Sequence, residues 1–218
     1  MARFDDFLLR EIERFGQALA QVIQAREQDD DEAALEAASN GCRTLVGLSL
    51  STLVRMPPDA IRPLLTLDGR LEVDRAAALA LLIAESAELQ PDPGLTHQHR
   101  TCAVGLLALT LPDQLPDGFT DTADALVRGV HLGALDGPTL SRLAPWFERR
   151  DRFDRAEDVI FAWFDKESAP AEAAGLAFYE RLWGLPDARL RAGGLSSQEV
   201  LDGLADLQAK ARTEGGSS

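Results

Sequence analysis

The chain has little cysteine and little histidine, and both shortages narrow the chemistry available to it. Its 218 residues include two cysteines, Cys42 and Cys102, which lie far apart with no paired spacing, so a disulfide framework is excluded. His97, His99 and Cys102 form the one cluster of metal-type ligands. Side chains two residues apart on a helix diverge by about 200°, and a metal site needs more ligands than two. We therefore expect no metal and no cofactor.

Positive charge is also scarce. Two lysines and 20 arginines stand against 36 acidic residues, which gives a formal net charge of −14. Nucleic acids and anionic membranes are bound through a positive surface field, so we expect neither as a partner. The one basic run, 149–155, is interleaved with aspartates and is typical of a solvated turn. Binding of an acidic peptide or a phosphate there is the sharper alternative.

Long apolar runs are missing as well. The longest, near 76–84 and 102–111, are about half of the roughly 20 residues that a bilayer requires. The opening MARFDDFLLREIERF scatters charges through the stretch where a secretory signal would be apolar. The expected location is the cytoplasm.

Catalytic motifs do not appear either. The sequence contains no G-x-S-x-G, no phosphate-cradling glycine loop and no H-E-x-x-H. Gly193-Gly194 precedes a helix and could orient backbone donors towards an anion, although such a pair more often ends one helix before the next. We expect no enzyme, with no catalytic and no cofactor-binding residues.

Helical periodicity is abundant. Apolar residues recur at three- and four-residue steps along the first segment, at Phe4, Phe7, Leu8, Ile12, Phe15, Leu19, Val22 and Ile23. No segment alternates with period two, so we predict an all-α protein of about ten helices and no strands. The predicted helices span about 3–26, 31–46, 59–65, 71–89, 96–111, 121–135, 138–149, 153–166, 170–184 and 197–212. Ser196 and Glu199 form a capping box for the last helix.

The most informative pattern is a helix-turn-helix unit in tetratricopeptide phase. Its first helix carries one apolar set and its second helix another: Leu140, Leu143, Ala144 and Phe147, then Ala156, Ile160 and Trp163. Such a unit cannot bury its apolar face alone and must stack on neighbours. The pattern therefore predicts a helical-repeat architecture of stacked hairpins.

Proline and glycine suggest a division of the chain. We predict N-terminal helical hairpins over 1–111, a bend at the PDQLPDG loop over 112–118, and tetratricopeptide-like hairpins with closing helices over 119–212. A flexible tail is expected over 213–218. One continuous solenoid domain is the alternative.

Three blocks of the chain resemble an uncharacterised bacterial family of tetratricopeptide-like proteins. They are FLLREIERFGQALAQVI near the start, RRDRFDRAEDVIF in the repeat unit and GLAFYERLWGLPDARLRAGGLSSQEVLDGLADL over 175–207. The middle hairpin, 71–111, lacks signature residues. The resemblance implies a helical-repeat fold and brings no activity and no catalytic residues.

Tetratricopeptide folds as a class bind peptides or proteins along a concave groove lined by their first helices. In this register the groove positions of the repeat unit are Ser141, Pro145, Glu148 and Arg149. A clamp for a C-terminal carboxylate would need lysine and asparagine there, so a chaperone-tail clamp is not expected.

Aromatic residues are concentrated near these positions, since nine of the 13 fall between Trp146 and Trp183. Phe178 and Tyr179 are adjacent and cannot both face the same core from one helix. Either one of them packs on the helix over 153–166 while the other covers the next turn, or one is exposed to a partner. Tyr179 is the candidate exposed aromatic.

These features favour a non-enzymatic scaffold for protein–protein interaction. One alternative is a homo-oligomeric structural protein, possible as a homodimer through the stripe of Phe4, Phe7, Leu8 and Phe15. A less favoured alternative is a protein that binds a small ligand or an anion in a pocket between the two halves, near 112–118.

Overall fold

The computed structural model describes residues 16–115 and 119–215. Within these ranges the chain is all-α, with twelve α-helices, three short 3-10 turns and one two-stranded hairpin. It divides into two compact units, Met1–Val130 and His131–Ser218. The predicted dimer stripe at Phe4, Phe7, Leu8 and Phe15 lies outside the described residues, as do 116–118 of the predicted bend and 216–218 of the predicted tail.

The first unit consists of seven helices, two strands and two 3-10 turns in its described part. Its helices are α1 (16–27), α2 (Asp31–Val46), α3 (Leu50–Leu53), α4 (Pro58–Ile61), α5 (Val73–Ala87), α6 (Pro93–Leu107) and α7 (Phe119–Arg128). Its other elements are β1 (Thr66–Leu67), β2 (Arg70–Leu71) and 3-10 turns at Arg62–Leu65 and Pro112–Gln114.

Local signals explain where α2 begins and ends. The carboxylate of Asp30 accepts a hydrogen bond from the Ala33 N–H at 3.0 Å, which caps the N-terminus. Gly47 has φ 76° and so takes the left-handed conformation that ends a helix. The predicted bounds of this helix are confirmed.

The hairpin of β1 and β2 corrects the prediction that the chain has no strands. Thr66 pairs with Leu71 and Leu67 with Arg70 in an antiparallel register. Asp68 and Gly69 join them with φ values of 50° and 78°, the positive pair that a tight two-residue turn requires. Strands of two residues are too short to produce a visible alternation.

The predicted start of α6 is also wrong, because the helix begins at Pro93 and not at Thr96. Asp92 caps it by accepting a hydrogen bond from the Gly94 N–H at 2.8 Å, and Pro93 occupies the first turn. Proline is tolerated there because the first-turn N–H groups have no partner within the helix. The Asp92-Pro93 sequence resembles a helix stop, but it begins α6.

Over residues 131–215, the second unit contains five helices and one 3-10 turn. They are the turn at Leu132–Ala134, then α8 (Gly137–Glu148), α9 (Phe153–Phe164), α10 (Ser168–Trp183), α11 (Asp187–Ala192) and α12 (Ser197–Gly215). The capping box is confirmed, since Ser196 N–H donates to Glu199 Oε2 at 2.7 Å and Glu199 N–H donates to Ser196 Oγ at 3.2 Å.

The core of the second unit lies between α8 and α9, with α10 packed on α9 and on α12. Every apolar residue of the predicted helix-turn-helix unit is buried, namely Leu140, Leu143, Ala144, Phe147, Ala156, Ile160 and Trp163. Gly175 of α10 permits the close approach, because a Cβ there would lie 2.5 Å from Leu207 Cδ2 and 3.0 Å from Ile160 Cγ2. Among the described helices, none combines the length and apolarity needed to cross a membrane.

Candidate functional site

Ser86 and His99 are both buried and lie within hydrogen-bond distance of each other. Ser86 Oγ donates its single proton to the Ile83 carbonyl at 2.7 Å. With that proton on the Ile83 carbonyl, the contact of 2.8 Å between Ser86 Oγ and His99 Nδ1 uses a proton on the histidine, and in that tautomer His99 is not a base towards Ser86. Burial lowers the pKa of His99 and favours its neutral form.

The two cysteines are buried in the first unit and are poor nucleophiles. Burial raises the pKa of Cys42 and of Cys102 to about 12 in each case. Because the thiolate is the reactive form, both thiols are inert at neutral pH. Among residues 16–115 and 119–215, no three His, Cys, Asp or Glu side chains gather as possible metal ligands.

The loop at Gly193-Gly194 has no backbone donors to offer an anion. Gly193 N–H donates to the carbonyls of Arg189 and Leu190, and Gly194 N–H donates to that of Arg191. Gly194 has φ 89°, and a Cβ there would lie 2.7 Å from the Asp154 carboxyl carbon. The loop therefore packs against an acidic side chain at the start of α9.

Two of the four predicted groove positions lie on the outer side of α8. Pro145 is exposed, and Ser141 is partly exposed with its hydroxyl donating to the Pro138 carbonyl at 2.8 Å. The Ser141 hydroxyl is thus engaged within its own helix. Apart from that engaged hydroxyl, these two positions contribute mainly apolar surface to the outer side of α8.

The other two groove positions lie where α8 ends, and one of them is already engaged. Glu148 accepts two hydrogen bonds from Arg181 of α10, from Nε at 2.6 Å and from Nη2 at 2.8 Å. This is the paired geometry in which arginine binds a carboxylate most strongly. Hydrogen bonding to Glu148 raises the pKa of Arg181. Arg149 is exposed.

Contacts at both ends show that α8 and α10 run in the same direction. At their starts, a Cβ on Gly137 would collide with the carboxylate of Glu167, which immediately precedes α10. At their ends, Glu148 binds Arg181. We call the outer surface of these two helices the α8–α10 face, defined by Ser141, Pro145, Glu148, Arg149, Glu172, Leu176, Glu180 and Trp183.

The prediction that Tyr179 is exposed is wrong, because this residue is 1% exposed. Its hydroxyl donates to Glu157 Oε1 of α9 at 2.6 Å, and its ring meets the Phe178 ring edge-on at 5.3 Å. A Cβ on Gly203 of α12 would collide with both the Tyr179 hydroxyl and the Glu157 carboxylate. Because α10 packs on α9 and α12, two adjacent aromatics are both buried.

Burial shifts the protonation of the Tyr179–Glu157 pair. Desolvation raises the pKa of Glu157, while the hydrogen bond from Tyr179 partly opposes that rise. Burial and the neighbouring Glu157 both raise the pKa of Tyr179. The tyrosine therefore remains a donor, and the pair serves the packing of α9, α10 and α12.

Trp183, the last residue of α10, is strongly exposed to solvent. It is 66% exposed, whereas Trp146 and Trp163 are 1% and 9% exposed. Leu176, two turns earlier on α10, is 36% exposed. Residues seven apart share one side of a helix, so Leu176 and Trp183 form an apolar stripe on the α8–α10 face.

Sequence reasoning missed Leu176, Arg181 and Trp183, although a signal for the first of them exists. The spacing Ala171, Ala174, Gly175 and Phe178 on α10 repeats that of Leu140, Leu143, Ala144 and Phe147 on α8. In this alignment Leu176 corresponds to Pro145 and Glu180 to Arg149. Extending the phase from α8 to α10 would have placed both on the candidate groove.

Comparison with known proteins places the chain in a family without assigning it an activity. No curated protein and no solved structure matches it. The match that is found covers residues 3–212, nearly the whole chain. The chain belongs to a family of unknown function, DUF6483.

Proposed function

We propose that this protein is a non-enzymatic, cytoplasmic scaffold that binds a protein partner on the α8–α10 face. In this proposal α8 with α9, and α10 with α12, stack as tetratricopeptide-like hairpins. The parallel course of α8 and α10 supports that arrangement, as does the repeated spacing of small and apolar residues in the two helices.

The observation that carries the proposal is the exposed Trp183 beside Leu176. A tryptophan side chain gains most from burial, and tryptophan is enriched among the residues that dominate binding energy at protein interfaces. Exposing such a ring to water is costly unless a partner covers it. Arg181 lies on a different side of α10, where its paired hydrogen bonds to Glu148 join α10 to the end of α8.

Site-specific photo-crosslinking in the native cell tests the proposal. A benzophenone amino acid at position 176 reports on the α8–α10 face. The same residue at Leu201 of α12, which is 40% exposed, is the matched control. We expect one discrete crosslinked band from position 176 and none from position 201. Equal labelling from both positions, or no band from position 176, would contradict the proposed face.

A further inference from the structure

The side of α10 that carries Leu176 and Trp183 is acidic. Arg181 is paired with Glu148 and lies about 140° around the helix from Leu176, so it does not share this side. On this side Glu172 is partly exposed and Glu180 is exposed. This side of α10 therefore presents two carboxylates beside its apolar stripe.

The spacing of these residues follows the helix repeat. Leu176 lies four residues after Glu172 and four before Glu180, so each carboxylate is one turn from the leucine. With a rise of about 1.5 Å per residue, the carboxylates are about 12 Å apart along the axis and Leu176 is about 10 Å from Trp183. Apolar and acidic groups thus alternate along about three turns of one side.

A second copy of the chain fits this pattern poorly. Antiparallel contact of two α10 helices centred on Leu176 would bring Glu180 of one copy opposite Glu172 of the other. Parallel contact would align each carboxylate with its own counterpart. Like charges at an interface are costly, and the net charge of −14 adds a general repulsion.

We propose that the occupant of this face is a basic amphipathic helix of a partner protein. Its apolar side packs on Leu176 and Trp183, and lysine or arginine side chains on its flanks pair with Glu172 and Glu180. The inference rests on the proposed function and adds the chemistry of the partner. An amphipathic helix that lays its apolar side on an apolar surface is a recurrent mode of peptide recognition.

A designed peptide pair tests the partner chemistry with the full-length chain. One 18-residue helical peptide carries a leucine stripe flanked by lysines and a fluorescein label, and its counterpart carries glutamates in place of the lysines. Binding is followed by fluorescence anisotropy at about 150 mM salt, where long-range charge attraction is screened. Trp183 emission is recorded in the same titration.

Three variants distinguish binding at the α10 carboxylates from attraction to the negative charge of the whole chain. E172R/E180R reverses the charge of the face. E27R/E36R makes the same change in net charge on exposed glutamates of the first unit. W183A removes the anchor, and circular dichroism confirms that each variant is folded.

We expect the lysine peptide to bind the native chain and to shift Trp183 emission to the blue. E172R/E180R and W183A should each weaken it by at least about tenfold, and E27R/E36R by less than about twofold. The glutamate peptide should bind E172R/E180R better than it binds the native chain.

Three results would overturn the inference. If E27R/E36R weakened binding of the lysine peptide as much as E172R/E180R does, the binding would be non-specific charge attraction. Equal affinity of the native chain for both peptides would show that the face does not select basic partners. Self-association that depends on Trp183, detected by light scattering, would identify a second copy as the occupant. A persisting crosslink at position 176 would preserve the proposed function in each case, whereas its absence would reject both proposals.

Discussion

Replacing Tyr179 with phenylalanine tests the packing that orients α10. The substitution keeps the buried ring and its edge contact with Phe178, and removes only the hydroxyl that donates to Glu157 at 2.6 Å. Glu157 is partly buried, so it cannot fully replace that donor with water. We expect Tyr179→Phe to lower the free energy of unfolding at neutral pH.

The magnitude follows from the charge on the acceptor. A hydrogen bond to an ionised group contributes about 1.5–3 kcal/mol, and one between neutral groups about 0.5–1.5 kcal/mol. Tyr179→Phe should therefore cost about 1.5–3 kcal/mol in the native background. Glu157→Gln keeps an acceptor oxygen without the charge, and in that background the same change should cost about 0.5–1.5 kcal/mol.

The pH dependence of the free energy of unfolding gives an independent prediction for Tyr179→Phe. Burial holds the pKa of Glu157 above its ordinary value of 4.5 in the folded chain, so the folded state binds more protons than the unfolded state above that pH. The contribution of Glu157 to stability therefore falls as pH rises through the folded pKa. Loss of the tyrosine hydroxyl raises that pKa further, so the cost of Tyr179→Phe should grow from pH 4 to pH 7.

Urea unfolding followed by circular dichroism at 222 nm, in a double-mutant cycle at both pH values, measures these effects. The reasoning is refuted if Tyr179→Phe costs under about 0.5 kcal/mol at neutral pH, or if its cost is the same with glutamate and with glutamine at position 157.

Three further changes probe the rest of the fold. Gly175→Ala should cost about 1–3 kcal/mol in urea unfolding, because its Cβ would lie 2.5 Å from Leu207 Cδ2; an unchanged midpoint contradicts the close packing. Cys42 and Cys102 should resist a thiol reagent at neutral pH until urea unfolds the chain, and labelling of the native chain would show that they are not buried. Because burial lowers the pKa of His99 from 6.5, stability should fall as pH drops below that value, and His99→Gln should flatten the dependence.

The repeat unit was predictable because its signal is local. Residues at three- and four-residue spacing on α8 and α9 must lie on one side of each helix, and Leu140, Phe147 and Ile160 are all buried there. The predicted bounds of α2 hold for a similar reason, since Asp30 and Gly47 are strong helix-end signals.

Elements that depend on a choice between two local structures were harder to predict. Asp92 and Pro93 can end a helix or begin one, and only the course of α6 decides between these outcomes. The two-residue strands at Thr66–Leu67 and Arg70–Leu71 carry no periodicity of their own. The six-residue helix α11 was missed because it is shorter than two helical turns.

The candidate site shows most clearly where sequence reasoning ends. Tyr179 is buried and Trp183 exposed because α12 covers one and not the other, and Gly203 of α12 leaves room for the tyrosine hydroxyl. Gly203 lies on α12, which follows α11, so tertiary packing places it against α10 and the local sequence does not. No spacing within α10 distinguishes the two aromatics.

Acrylamide quenching of tryptophan fluorescence tests the proposed binding face most directly. Trp183 is the exposed tryptophan of the native chain, and Trp183→Phe should remove the quenchable fraction. Saturation with the partner recovered by crosslinking should reduce quenching of the native chain to the level of that variant. Quenching that stays unchanged at saturation would show that the partner binds elsewhere and would contradict the account.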